Sequence, residues 1–351
     1  MRETADSPAP LPRENPNFAG HPAAEQGLLR AWRSNRLHHA WLITGPRGVG
    51  KATLAFRFAR HVLAGAEQGS FAMPPTASIF RQVAGGGHPD LLTIERRYDE
   101  KRDRMRTEIV VDDVRELGAF LHLKAAAGGW RVVVVDSADD LNRNAANALL
   151  KLLEEPPARA LLLLISHAPG RLLPTIRSRC RRLTLSPLGE PVMRELLDAY
   201  CPGVSEADRQ LLMRLSDGSI GRALDIAGAG GLDLHRQILE QLQRLPTVDA
   251  VALHALGDRF GRKDGGDPFR LATEILLGWL ARTIRLAATG QADRDAAAGA
   301  AMPLHGRHSL EQWLELWEKT TRLFARVDSA NLDRKQVWVG AMLDIAGLAS
   351  R

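Results

Sequence analysis

The sequence predicts an α/β chain in which a doubly wound parallel sheet is followed by a small helical domain and then by an all-helical one. Three observations predict it. Short apolar runs alternate with helical periodicity through the first half, a glycine-rich turn joins the first run to the helix after it, and strand signals stop after Pro187. At 351 residues, and roughly 100 to 200 per domain, two or three domains are expected. The expected bounds are a disordered, Pro-rich tail over 1–15, the α/β domain over 16–187, a helical domain over 188–231 and a helical domain over 232–351.

The elements follow in order. Ala23 to Ser34 has amphipathic helical spacing and leads into the buried strand Ala40 to Thr44. Gly45 to Gly50 is the glycine-rich turn, and Lys51 to Ala64 is a helix with Leu54, Phe58 and Val62 on one stripe. Leu91 to Glu95 reads as a strand, the densely charged Tyr98 to Arg106 as an exposed loop, and Ile109 to Leu123 as a helix entered through Asp112 and Asp113. Val132 to Val135 is a β-branched run ending at Asp136, the pattern of a central parallel strand covered on both faces. Asn144 to Glu155 is helical until Pro156-Pro157 removes the donor and blocks the preceding turn. Leu161 to Ser166 is the next strand and Leu183 to Leu185 the last.

Beyond Pro187, helices are expected at Glu190–Tyr200, Glu206–Ser216 and Gly221–Ala227, with the glycines at 228, 230 and 231 as a flexible junction. The remainder is helical in pattern, broken by an Ala/Gly-rich loop at Ala287 to Ala301. Leu310, Trp313, Leu314, Trp317, Thr321 and Phe324 are spaced to share one helical face.

Composition narrows the function classes. Two cysteines, Cys180 and Cys201, are too few for a four-cysteine zinc site. A net charge of +6 favours anionic partners without naming them, and 5% aromatics is a poor basis for a surface that stacks unpaired bases. The start, with Glu3, Asp6 and several prolines, has no signal-peptide pattern, and no apolar run reaches the roughly 20 residues of a membrane helix. A cytoplasmic protein is expected, with no membrane partner.

Gly45-Pro46-Arg47-Gly48-Val49-Gly50-Lys51 fits seven positions of the phosphate-binding motif G-x-x-x-x-G-K-[ST], between strand and helix as the motif requires. Glycines let backbone N–H groups converge on phosphate oxygens, and Lys51 adds a point charge. The eighth position is Ala52, without the hydroxyl that would hold Mg2+. Thr53 is one residue late, about 100° round the helix. Asp136 brings a carboxylate to the sheet edge, but Ser137 follows where a hydrolase carries a Glu able to polarise water. Asp139 and Asp140, past the strand end, read as caps of the next segment. Arg177, Arg181 and Arg182 read as surface charges.

The phosphate loop, the Asp136 strand, the run Ala145 to Pro157 and Ser178-Arg179-Cys180 together resemble the AAA+ subunits of bacterial clamp loaders, over about residues 16 to 230. The degenerate nucleotide site beside an intact Ser-Arg-Cys is most similar to the delta-prime family of the DNA polymerase III loader. The resemblance implies an AAA+ domain, a lid over 188–231 and a collar over 232–351. It implies that Arg179 is an arginine finger acting in trans on ATP held by a neighbouring subunit, a contribution worth about 10³ to 10⁵ in rate. It also places Ser166 and Arg222 at sensor positions.

The partners it implies are gamma/tau and delta subunits in a hetero-pentamer, and the sliding clamp and primer-template DNA through the complex. By the same resemblance, four cysteines of a zinc module usually stand between the loop helix and His88-Pro89-Asp90. This chain has none there, so that stretch is expected to rest on Ile79, Phe80 and Val83, without zinc. The expected role is a stationary loader subunit with little or no ATPase of its own, holding at most ATP, ADP or phosphate. The alternative is an active AAA+ ATPase, either the loader's motor subunit or a helicase loader, with Thr53 and Asp139 compensating.

Overall fold

The computed structural model describes residues 9–34, 36–65, 69–99, 104–123, 125, 129–228, 230–261, 268–289, 309–327 and 330–350. Packing divides the chain into two compact units, Pro8–Ala223 and Leu224–Arg351, the division falling within one helix. The first unit runs α1 (Pro22–Arg33), β1 (Ala40–Thr44), α2 (Lys51–Leu63), α3 (Ser78–Ala84), β2 (Leu91–Glu95), β3 (Tyr98–Asp99), β4 (Arg104–Met105), α4 (Val111–His122) and β5 (Arg131–Asp136). It continues through α5 (Arg143–Glu154), β6 (Ala160–Ser166), α6 (Pro174–Arg179), β7 (Arg181–Thr184), α7 (Glu190–Tyr200), α8 (Glu206–Ser216) and the start of α9 (Ile220–Ala227).

The five-stranded sheet is parallel throughout, in the order β2-β5-β6-β1-β7. Strand alternation explains its two cores. Ala40, Leu42, Val133, Val135, Leu162 and Leu164 face the layer of α4, α5 and α6, while Trp41, Ile43, Val132, Val134, Leu163 and Ile165 face the layer of α1 and α2. Each of these side chains is at most 2% exposed, so the central strands are apolar without interruption rather than half-polar. The register sets Thr44 beside Ser166 on one side and Thr184 on the other, and Asp136 beside Ile165. The ends of β1, β5 and β6 therefore come to one edge, where loops follow.

Helix α2 departs from a single apolar stripe. Leu54 through Val62 are all buried, Arg57, Arg60 and His61 among them. The face expected in water is covered by the segment before α1: the Arg60 guanidinium donates to the carbonyls of Arg13 (3.0 Å) and Asn15 (2.8 Å), and Arg57 donates to the Pro16 carbonyl. Arg13 to Asn15, expected within the disordered tail, are thus tied to the sheet layer; residues 1–8 lie outside the described residues. Arg60 also stands 4.4 Å from the Phe80 ring centre, and Phe80 and Val83 are buried, so the stretch before β2 packs on α2 as expected, with Ile79 partly buried at the margin.

Two smaller expectations change. The charged segment from Tyr98 is an antiparallel hairpin, Tyr98 opposite Met105, with residues 100–103 outside the description. The last strand, at Arg181–Thr184, begins two residues and ends one residue before the apolar pattern placed it, with Arg181 4.9 Å over the Trp41 ring.

The second unit contains α10 (Gly231–Gln243), α11 (Ala250–Asp258), α12 (Pro268–Thr289), α13 (Leu310–Arg326) and α14 (Arg334–Ser350). Its core is aromatic: Phe260 meets Phe269 at 5.5 Å and Trp338 at 5.4 Å, and Trp279 meets Trp313 at 6.5 Å. Residues 287–289, expected in a loop, extend α12, and the rest of that loop lies outside the described residues. On α13 the buried stripe is Trp313, Leu316 and Thr320, while Leu310 and Leu314 face water. Trp313 sets the phase, because its large ring packs on Trp279 and turns the neighbouring leucines outward.

Candidate functional site

The carbonyls of the turn after β1 are all bonded within the chain. Lys51, at the first position of α2, is only 3% exposed, and its Nζ donates to the Gly45 carbonyl at 2.7 Å and to that of Pro46. The Ser219 hydroxyl donates to the Arg47 carbonyl (2.7 Å), the Gly221 N–H donates to the Gly48 carbonyl (3.0 Å), and His21 Nε2 bonds the Val49 carbonyl (3.0 Å). The Gly50 carbonyl accepts from Leu54 within α2. Every carbonyl from Gly45 to Gly50 therefore has a partner, two of them from the residues that open α9.

Glycine is required on both sides of that contact. A Cβ on Gly48, whose φ is +78°, would lie 2.3 Å from Ser219 Oγ, and a Cβ on Gly221 would lie 2.8 Å from the Gly48 Cα. Burial pushes the Lys51 ammonium down to about 8, with Asp136 and Asp139 opposing the shift and Arg47 adding to it. Ala52 and Thr53 are half-buried on the first turn of α2, with the hydroxyl position of the motif filled by a methyl group.

At the neighbouring strand end, burial and then Glu95 push the Asp136 carboxyl up, against the pull of Lys51 and Arg47. Ser137 is buried and reaches Asp139 only at 3.5 Å. Asp139 is not the cap of a following segment, as the sequence suggested. It accepts from the Ser166 hydroxyl (2.7 Å) and from the backbone N–H groups of His167 (2.5 Å) and Ala168 (3.3 Å). The carboxylate ties the end of β5 to the end of β6. Asp140 pairs with Arg96 at 3.2 Å. His167, beside Lys51 and Arg47, is pushed down to about 4 by burial and so is neutral.

Arg222 lies on α9 next to this contact, its N–H donating to Ser219 Oγ and its guanidinium pairing with Asp217 at 3.4 Å. Arg179 stands apart. It is the last residue of α6, with Nη1 donating to the Thr175 carbonyl one turn back (3.1 Å) and Nη2 paired with Glu154 at 2.7 Å. Its side chain is 36% exposed.

The structure thus brings together the loop from Gly45 to Thr53, Asp136, Ser166 and the backbone around Arg222, while Arg179 presents a separate half-exposed guanidinium. Sequence reasoning missed His21, Asp139, Ser219 and Gly221 as parts of the loop's surroundings. Ser219 and Gly221 carried a signal, since both lie in the Gly218-to-Arg222 run, but only Arg222 offered a charge to notice.

Similarity to known proteins follows the first unit. The family described as "DNA polymerase III, delta subunit" matches residues 20–189. The delta-prime subunit of DNA polymerase III from Pseudomonas aeruginosa is 38% identical over 207 residues, covering 59% of this chain and 61% of the relative. That of Escherichia coli is 36% identical over 197 residues, covering 56% of this chain and 57% of the relative. The tau subunit of Salmonella typhimurium is 34% identical over 196 residues, covering 54% and 29%. The chain thus spans between 57% and 61% of the delta-prime relatives it matches. The matched stretch takes in the loop, the Asp136 and Ser166 strand ends and the Ser-Arg-Cys turn, and over it the chain is similar to the delta-prime subunits of DNA polymerase III.

Proposed function

We propose that this protein is a clamp-loader subunit of the delta-prime kind: a stationary member of the ring that offers Arg179 to ATP bound by an adjacent gamma/tau-type subunit. The observation that carries the reading is the contrast between two sites. The chain's own phosphate loop has each carbonyl from Gly45 to Gly50 bonded, lacks the hydroxyl at Ala52 and has Ser137 in place of a water-activating carboxylate. Arg179, by contrast, is half-exposed and carries a fork suited to phosphate oxygens.

Should the loop hold an anion, ATP, ADP or phosphate, Lys51 and the loop's backbone N–H groups would bind it, and the Lys51 bonds to Gly45 and Pro46 must first break. The second unit would serve as the collar holding this subunit to gamma/tau and delta partners. The sliding clamp and primer-template DNA are reached through the assembly. No helix among the described residues is long and apolar enough to cross a membrane, in keeping with work on DNA in the cytoplasm.

The active-ATPase alternative draws on the 34% identity to tau. It needs Asp139 as a base, yet three donors from the end of β6 already occupy that carboxylate. The test is ATP turnover by the purified chain, set beside turnover by a loader reconstituted with it. The chain alone is expected to hydrolyse nothing above background, and the loader to turn over only when complete. Robust hydrolysis by the isolated chain, abolished by Lys51→Ala, would establish the alternative instead.

A further inference from the structure

We propose that Glu154 is the positioning residue of Arg179, the carboxylate that holds the guanidinium ready for the neighbouring subunit's phosphates; this rests on the reading of Arg179 given above. Glu154 ends α5, two residues before Pro156-Pro157. Arg179 ends α6. The two side chains meet at 2.7 Å through Nη2, while Nη1 is held at 3.1 Å by the Thr175 carbonyl. The guanidinium plane is therefore fixed from two directions, one supplied by its own helix and one by α5.

Both helix ends are themselves anchored. Leu149, Leu152 and Leu153 of α5 and Ile176 of α6 share one buried cluster, and the Leu153 carbonyl bonds His39 Nε2 at 3.0 Å. The carboxylate and the guanidinium are 48% and 36% exposed, so water screens them and the pair adds little to the stability of the chain. Its effect is on order. A long arginine left free must give up its rotamers when it reaches a phosphate, whereas one already oriented gives up less. Glu154 thus contributes to the reaction through Arg179 and touches no substrate.

The experiment is single-turnover and steady-state ATP hydrolysis by the loader reconstituted with wild-type, Glu154→Ala, Glu154→Gln, Arg179→Ala and doubly substituted subunit. Glu154→Ala is expected to lower kcat about fivefold, equivalent to about 1 kcal/mol, with KM for ATP unchanged. Glu154→Gln keeps an acceptor at the same reach and is expected to retain at least half of the rate. In the Arg179→Ala background, Glu154→Ala should add nothing, because the residue acts only through that guanidinium.

An unchanged or faster rate for Glu154→Ala would overturn the inference, the latter by making the carboxylate a competitor of phosphate. So would a further loss of similar size in the Arg179→Ala background, which would mean an effect on assembly or folding. An Arg179→Ala loader that turns over normally would instead sink the reading of Arg179 itself, so the two failures are told apart.

Discussion

Asp139 illustrates how a single residue can change meaning between sequence and fold. In the sequence it stands one position before Asp140, past an apolar strand, and capping is the ordinary use of such a carboxylate. In the fold it accepts three hydrogen bonds from Ser166, His167 and Ala168, contacts set by the parallel register of β5 and β6 and invisible in local pattern. Asp139→Ala leaves those donors unpaired at a buried strand end and is expected to cost about 2–4 kcal/mol in urea unfolding. A loss below about 0.5 kcal/mol would show the carboxylate to be a surface charge.

Two buried histidines set a pH response at the same scale. His167, facing Lys51, Arg47 and Asp139, and His235, facing Arg282 and Arg236, are each pushed down to about 4 by burial. The folded chain keeps them neutral while the unfolded chain protonates them below about pH 6.5, so their stability is whole above that pH and is lost as pH falls toward 4. Between pH 7 and 5 each is expected to take away about 1–2 kcal/mol, and His235→Leu should flatten the curve by one such share.

Among elements, the strands and the helices on the sheet were legible because their burial follows period: β1 and β6 matched their apolar runs within a residue, and α7 and α8 matched to the residue. What was not legible depended on partners distant in sequence. Helix α2 reads as amphipathic, yet its polar side is buried because Arg57 and Arg60 bind the segment before α1, and Arg60 is pushed down to about 10 by burial and by Arg57. Arg60→Met is expected to cost about 2–3 kcal/mol and to expose residues 13–16 to proteolysis, read by limited digestion. Digestion patterns unchanged from wild type would mean that the segment is held by other contacts.

The contact between the loop and the opening of α9 is the second such element. Ser219→Ala removes the donor to Arg47, loosening the loop by about 1 kcal/mol, so calorimetric titration should give ATP about fivefold tighter binding than to wild type. Equal or weaker binding would contradict a loop closed by that contact.

For the molecule as a whole, the phosphate loop, the Asp136 strand and the Ser-Arg-Cys turn could be read because each is a short run whose chemistry depends on spacing. The bonding of the loop's carbonyls could not, since donors come from Ser219, Gly221 and His21, far away in the chain. Together they describe a nucleotide fold whose loop carbonyls are bonded within the chain and whose Arg179 is half-exposed. The most direct measurement compares hydrolysis by assembled loaders carrying Lys51→Ala or Arg179→Ala in this subunit. Loss of Lys51 is expected to leave turnover within about twofold of wild type, and loss of Arg179 to slow the receiving site by about 10³-fold or more, the low end of what such an arginine supplies. A loader slowed by Lys51→Ala and indifferent to Arg179→Ala would reverse the assignment.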